Sequence, residues 1–426
     1  MAENFLKESK KSIRKYFEQK NVEKFIPGKS KIPLAVPPYG WEETSEALDS
    51  LLTMNTTMGN KVKKFEDKFA EYLGVKYAVM VNSGSSANLL ALSVLSNQKK
   101  IKNRIKQGDE IITPALTWAT TVYPITNVGA TPVFVDVNLK THNIEPEQIE
   151  KAITKKTKAI MPVHLLGYPC DMKKIMEIAK NNDLLVIEDA CEAHGTEYFG
   201  KKVGSFGDMA SFSFFASHHI TTMEGGMLVT NNQEYYELSK SLRAFGWIRE
   251  MKNKNHIIKK NRNIDPRFLF VNLGYNMRPT EIQGAFGMHQ IKKLDKLIKH
   301  RINSARFWNE NLKPFAEYFI LPLEDKEIKN TYMAYPITVR KNNYFTKKQL
   351  VDHLEKKKIE TRPVMAGNIT QQPVIQYIKH KKIGSLENSQ YIADNSFLIG
   401  IHQNITEQMS EFVINSIIEF LKNKIK

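Results

Sequence analysis

Between Tyr77 and Thr230 the chain runs repeatedly through short apolar stretches separated by segments of helical period, and few folds accept that pattern. The stretches Tyr77–Val81, Glu110–Thr113, Pro132–Val137, Ala159–Val163, Leu184–Ile187, Ala210–Phe214 and Met227–Thr230 are too continuous in hydrophobicity to have one face in water. Between them lie helical candidates such as Glu66–Leu73, Ser86–Leu95 and Met172–Asn181. Apolar strands alternating with helices predict an α/β architecture, a mostly parallel sheet covered on both faces. A long helix is expected over Glu281–Asn311. Beyond residue 320, strands at Tyr332–Val339 and Ile359–Val364 mix with helices at Lys347–Lys357 and Thr406–Lys424, which predicts a smaller α+β domain. The expected division is 1–30 as a Lys-rich helical extension, 31–300 as the large domain and 301–426 as the small one.

With 426 residues, 42% of them hydrophobic, a core of useful size can be buried. No apolar run reaches the roughly 20 residues of a membrane span, and the charged N-terminus has no signal-peptide pattern, so a cytoplasmic address is expected. The net charge of +17 raises nucleic acid as a partner. However, the basic residues are mostly Lys, scattered in runs along the whole chain (7–20, 99–106, 252–267, 292–301, 422–426), with no nucleic-acid-binding signature to organise them. A solvated surface or an anionic small substrate accounts for them better.

Three segments carry candidate chemistry. Asn82-Ser83-Gly84-Ser85-Ser86-Ala87-Asn88 joins a strand to a helix N-terminus, either a phosphate cradle or a plain N-cap. In Leu184–Gly195 an apolar strand runs into Glu188, Asp189 and Glu192 at its C-terminal end, where open α/β folds place ligands. A carboxylate there can pair with a protonated ring nitrogen, or simply cap a helix. In Ser211–Gly226, the pair His218-His219 follows a strand without the further ligands of a zinc site.

In this order and spacing, with GDEIITPALTWATT (108–121), FVDVNLKTHNIEPEQIE (134–150), GKKVGSFGDMASFSF (200–214), LGYNMRPTEIQGAFGMHQIKKLD (273–295) and IETRPV (359–364), the chain resembles the DegT/DnrJ/EryC1/StrS sugar aminotransferase family over about residues 35–420. The resemblance implies a fold-type I, aspartate-aminotransferase-like structure whose large domain holds a mixed, mostly parallel seven-stranded sheet. It also implies pyridoxal or pyridoxamine 5'-phosphate as cofactor and a homodimer with shared active sites. Residue by residue it carries Gly84, Ser85 and Ser213 to the phosphate, Trp118 to the ring face and Asp189 to the pyridine nitrogen. Asn276 goes to the phosphate from the partner subunit, and Glu192 lies near the cofactor.

One departure sets the expected activity. Family aminotransferases have a Schiff-base lysine just before Glu/Asp-Gly-Gly; His218 stands there, ahead of Glu224-Gly225-Gly226. That exchange marks the sugar 3-dehydratases, or C-3 deoxygenases, of dideoxysugar and O-antigen (lipopolysaccharide) biosynthesis. The chain looks most like the branch acting on GDP-4-keto-6-deoxymannose, with L-glutamate restoring the amine form of the cofactor. His218, as an imidazole titrating near neutrality, is the expected catalytic base. His219, His194, His289 and His402 are expected to be structural. Arg249 and Arg267, in the basic segment 249–267, are either surface or contacts to the nucleotide diphosphate. The sister branch acts on CDP-4-keto-6-deoxyglucose through an iron–sulfur cluster held by four cysteines. Cys170 and Cys191 are the only cysteines here and 247–270 has none, so no cluster and no other metal are expected. A non-catalytic sugar-nucleotide-binding homologue is the remaining alternative.

Overall fold

The computed structural model describes residues 2–20, 24–97, 103–252 and 254–425. Residues 99–102, 253 and 426, which belong to three of the basic runs, and 21–23 of the N-terminal extension lie outside the described residues.

Helix α1 (Ala2–Gln19) is followed by α2 (Trp41–Leu52), α3 (Asn60–Leu73), β1 (Tyr77–Val81), α4 (Gly84–Leu95), β2 (Glu110–Pro114), α5 (Ala119–Asn127) and β3 (Thr131–Val135). Then come α6 (Pro146–Ala152), β4 (Thr157–Ile160), α7 (Met172–Asn181) and β5 (Leu185–Asp189). A small hairpin of β6 (Glu197–Tyr198) and β7 (Lys201–Lys202) precedes β8 (Met209–Ser213), β9 (Gly226–Thr230), α8 (Gln233–Arg243) and the short α9 (Asn255–Lys260). Helix α10 (Glu281–Leu312) leads to β10 (Phe319–Ile320), β11 (Ile328–Lys329), β12 (Tyr335–Val339) and α11 (Lys347–Lys356). The chain finishes with β13 (Thr361–Pro363), β14 (Lys381–Lys382), α12 (Glu387–Asn395), β15 (Ser396–Ile399) and α13 (Glu407–Lys424).

The main sheet has the order β1-β9-β8-β5-β4-β2-β3-β14, with β9 antiparallel to both neighbours and the remaining pairs parallel. The expected seven strands are all present, but the sheet has eight. The eighth, Lys381–Lys382, pairs with Val133 and Phe134 from a distant part of the chain and has no apolar pattern of its own. Strand alternation sends Val79 and Val81 into one core with Leu90 of α4 and Leu242 of α8. Ala78 and Met80 enter another, with Phe65 and Phe69 of α3 and Leu294 of α10. Both sheet faces are therefore covered, which is why the strands read as continuous apolar runs.

Helix α10 begins with a capping box between Thr280 and Gln283 and reaches across to a C-terminal core, where Trp308 and Leu312 pack with Tyr335 and Phe397. Phe25 and Ile32, placed by the sequence just before and at the start of the large domain, are buried in this C-terminal core, and the Ile32 N–H donates to the Lys358 carbonyl. The N-terminal extension forms a helix only to Gln19, lying on α2 through Arg14 over the Trp41 ring and Lys10 beside Asp49. No helix among the described residues is long and apolar enough to cross a membrane.

Candidate active site

The C-terminal ends of β1, β5 and β8, the first turns of α4 and α5, and β13 surround a cavity of about 520 Å³. At the end of β1, Ser83 caps α4: its hydroxyl accepts from the Ser86 N–H at 3.1 Å, leaving the N–H groups of Gly84 and Ser85 without intrahelical partners. The cap thus leaves, in the same turn, the backbone donors that an anion cradle would need. Glycine is required at 84 because a Cβ there would meet Ser213 Cβ at 2.5 Å, and this close approach brings the Ser213 hydroxyl to the same turn. Gly226 is required for the same reason, its missing Cβ leaving room for the Ser83 carbonyl 2.2 Å away.

Asp189 ends β5 and is buried. One carboxylate oxygen accepts from Asn88 Nδ2 at 2.9 Å and Thr121 Oγ1 at 2.8 Å, and the other from the Cys191 N–H at 3.2 Å. Asn88 is itself fixed by the Ser211 hydroxyl and by donation to the Thr120 carbonyl at 3.2 Å. Three neighbours therefore aim Asp189 at the cavity it lines. Asn88 and Thr121 were not singled out from the sequence, although both stand inside quoted motifs; only the fold brings them to Asp189. Trp118, the residue before α5, is 55% exposed and presents its ring to the cavity without an aromatic partner among the described residues.

Glu192 is buried, with one oxygen accepting from the Leu166 N–H at 2.8 Å. Burial, opposed by that hydrogen bond and reinforced by the Asp189 charge, pushes its carboxyl up to about 8, so it carries a proton at neutral pH.

His218 lines the cavity from the loop after β8. Its Nδ1 is sealed from solvent without a partner, which leaves Nε2 as the ring nitrogen open to the cavity. Its ring is held by Phe215 and His194, with centroids 6.4 and 6.1 Å away. Burial first, and the Arg301 guanidinium second, push His218 down to about 4. The expectation of an imidazole poised near neutrality is corrected: the ring is a free base throughout the neutral range. Arg301 is itself buried with no carboxylate within ion-pair distance among the described residues; it donates to the carbonyls of Tyr332 and Met333 at 3.1 and 2.9 Å.

His219 is fully buried and its Nε2 bonds the Thr331 carbonyl at 3.0 Å. His194 packs among Phe69, Phe212 and Phe214, His289 faces Glu46, and His402 Nε2 lies 3.0 Å from the Pro33 carbonyl. The two arginines read as either surface residues or diphosphate contacts do not reach this cavity within one chain. Arg267 forks onto Asp265, with Nη2 to Oδ2 at 2.6 Å, and Arg249 lies over the Trp247 ring. They are held apart by local pairing on an exposed segment. Asn276 also lies outside the lining, accepting from Arg278 Nε at 3.1 Å. Both cysteines are free.

Among curated relatives, GDP-4-keto-6-deoxy-D-mannose 3-dehydratase of Escherichia coli O55:H7 (strain CB9615 / EPEC) is 38% identical over 368 residues, covering 85% of this chain and 94% of that protein. GDP-perosamine synthase of Escherichia coli O157:H7 is 39% identical over 323 residues, covering 76% and 80%. Among solved structures, GDP-4-keto-6-deoxymannose-3-dehydratase with a trapped PLP-glutamate geminal diamine superposes with a TM-score of 0.85 at 36% identity, covering 91% of this chain and all of that one (100%). The family profile matches residues 39–418, and the chain belongs to the DegT/DnrJ/EryC1/StrS aminotransferase family.

Proposed function

We propose that this chain is a pyridoxamine/pyridoxal-phosphate-dependent 3-dehydratase that removes the C3 hydroxyl of a nucleotide-linked 4-keto-6-deoxyhexose, GDP-4-keto-6-deoxymannose, with L-glutamate as amine donor. The observation that carries the reading is the cavity wall: His218 opens onto the space shared with Asp189 and Trp118, and no lysine lines it among the described residues. The dehydratase and the perosamine synthase are alike in overall identity, so identity does not separate the two chemistries; the side chain ahead of Glu224-Gly225-Gly226 does.

The residues present fit the cofactor. Free N–H groups at Gly84 and Ser85, with the Ser213 hydroxyl, form an anion cradle at a helix N-terminus. Trp118 offers an unpaired aromatic face, and the triply braced Asp189 carboxylate suits a protonated ring nitrogen. When bound as its amine, the cofactor supplies the electron sink that lets hydroxide leave an otherwise unreactive carbon. Asp189 keeps that sink positively charged. His218, neutral at working pH, takes a proton at Nε2 and returns one to the departing hydroxyl. Protonated Glu192 holds a hydrogen-bond donor toward the cavity without adding a second negative charge beside Asp189. With no lysine lining the cavity among the described residues, no side-chain amine there competes for the cofactor's carbonyl carbon.

We assign Asn276 to the phosphate site of a second copy, in a homodimer with shared active sites. Support comes from the neighbouring surface, where Ile264, Phe268, Phe270 and Leu273 are exposed in the single chain, Leu273 to 91%. Apolar surface of this kind marks an interface. Two free thiols agree with a cytoplasmic setting.

The test is to incubate protein loaded with pyridoxamine phosphate with GDP-, CDP- and UDP-linked 4-keto-6-deoxy sugars and L-glutamate, and to weigh the products. A GDP product lighter by one oxygen is expected. His218→Asn is expected to keep the bound cofactor's absorbance and lose this product. Normal turnover by His218→Asn, or an aminated sugar in place of a deoxygenated one, overturns the reading.

A further inference from the structure

The residues lining the cavity include acidic side chains on the large-domain wall, Asp189, Glu192 and Glu224, and, among the described residues, only one Lys or Arg, Arg362 on β13. The proposed chemistry gives Arg362 no task. Its setting is nevertheless built. Arg362 Nη2 pairs with Glu360 Oε1 at 2.6 Å, and Nη1 donates to the Thr361 carbonyl at 2.9 Å. Glu360 is braced in turn by Lys31 Nζ at 3.0 Å and by the Leu34 N–H at 3.3 Å. Arg362 and Lys31 thus share the Glu360 carboxylate, which fixes the guanidinium without using up its donors. A guanidinium has five N–H donors, of which two are engaged here. The side chain is 56% exposed, so the others are accessible from the cavity mouth.

We propose that Arg362 is the anion-binding residue of this cavity, taking an oxyanion of an incoming reactant as a charge-assisted, forked hydrogen bond. The inference rests on the reading above for the identity of the reactants. Both carry the required chemistry, the carboxylates of L-glutamate and the diphosphate of the sugar nucleotide. Arg249 and Arg267, for which a diphosphate contact was one of two readings, are paired elsewhere on the surface. A planar fork matches either oxyanion in two-point fashion, whereas a lysine offers only a point charge.

Calorimetric titration of the cofactor-loaded protein with 2-oxoglutarate and with GDP tests this without turnover. In Arg362→Gln the dissociation constant for at least one probe should rise about 10- to 100-fold, the usual worth of a hydrogen bond to a charged group. Arg362→Lys should recover part of the loss. A rise for 2-oxoglutarate alone assigns the site to the donor carboxylate, a rise for GDP alone to the diphosphate, and a rise for both to a place the two reactants use in turn. Unchanged affinities for both probes in an Arg362→Gln protein of wild-type absorbance and melting temperature overturn the proposal, as does wild-type protein that binds neither. Should Arg362→Gln not fold, Arg362→Lys decides: it must weaken one probe by at least about threefold. Anion binding through Arg362 without oxygen loss from any sugar sinks the dehydratase reading alone, and the converse sinks the anion site alone.

Discussion

The neutral state of His218 has a measurable consequence for the pH dependence of the reaction. An imidazole at its ordinary value of 6.5 loses its free-base form about 30-fold between pH 7.5 and pH 5, whereas one held at about 4 loses only about a tenth of it. If His218 is the base, kcat/KM for deoxygenation should stay nearly flat over that interval. Burial is the larger cause of the depression and Arg301 the smaller, so Arg301→Met should raise the acid limb by less than half of the distance back to 6.5. Stability has to be followed in parallel. His142, His402 and His218 are each held at about 4, and His194 and His219 well below their ordinary value, so all five stay neutral in the fold and gain protons on unfolding below pH 6.5. The unfolded chain binds more protons in that window, so stability falls as pH drops from 6.5 towards 4. Urea titrations at each pH identify the range in which the protein is fully folded. A thirtyfold fall in kcat/KM centred near 6.5, in protein still folded, would show that the surroundings of His218 do not hold its ring unprotonated and refute the argument.

Other residues give sharper local tests. Glu192 loses its proton above about pH 8 and places a second negative charge beside Asp189; kcat/KM should decline there, and Glu192→Gln, which mimics the neutral form, should abolish the decline. Gly84→Ala drives a Cβ to 2.5 Å from Ser213 Cβ and displaces the helix start, so absorbance titration should show pyridoxal phosphate binding weakened about 10-fold or more. Buried Glu281 accepts from the N–H groups of Gly59, Lys61 and Val62 at 2.8, 2.7 and 3.3 Å, tying α10 to the start of α3. Glu281→Ala should lower unfolding free energy in urea by about 2–4 kcal/mol, and a loss below about 1 kcal/mol would show that water replaces the carboxylate.

Local patterning carried much of the fold. The strand runs from Tyr77–Val81 to Met227–Thr230 were readable because both faces of the sheet are covered, which demands unbroken hydrophobicity. The helix starts expected at Glu281 and Thr406 fall where the hydroxyls of Thr280 and Thr406 cap α10 and α13. Strand Lys381–Lys382 was not readable, since two edge lysines take part through backbone bonds that any residue can make. The burial of Phe25 and Ile32 in the C-terminal core was equally hidden, being a contact across more than 300 residues of chain, as Ile32 to Ile359 shows.

At the site, the family resemblance carried by the ordered motifs grouped Gly84, Ser85, Asp189, Ser213 and His218, and all five line one cavity. Three-dimensional packing decided the rest. It put Asn88 and Thr121 on Asp189, kept Glu192 protonated and His218 unprotonated, and brought Arg362 to the cavity while Arg249 and Arg267 stayed outside. These are properties of distance and dehydration: the cost of a charge depends on how much water its neighbours exclude, and those neighbours come from segments far apart along the chain.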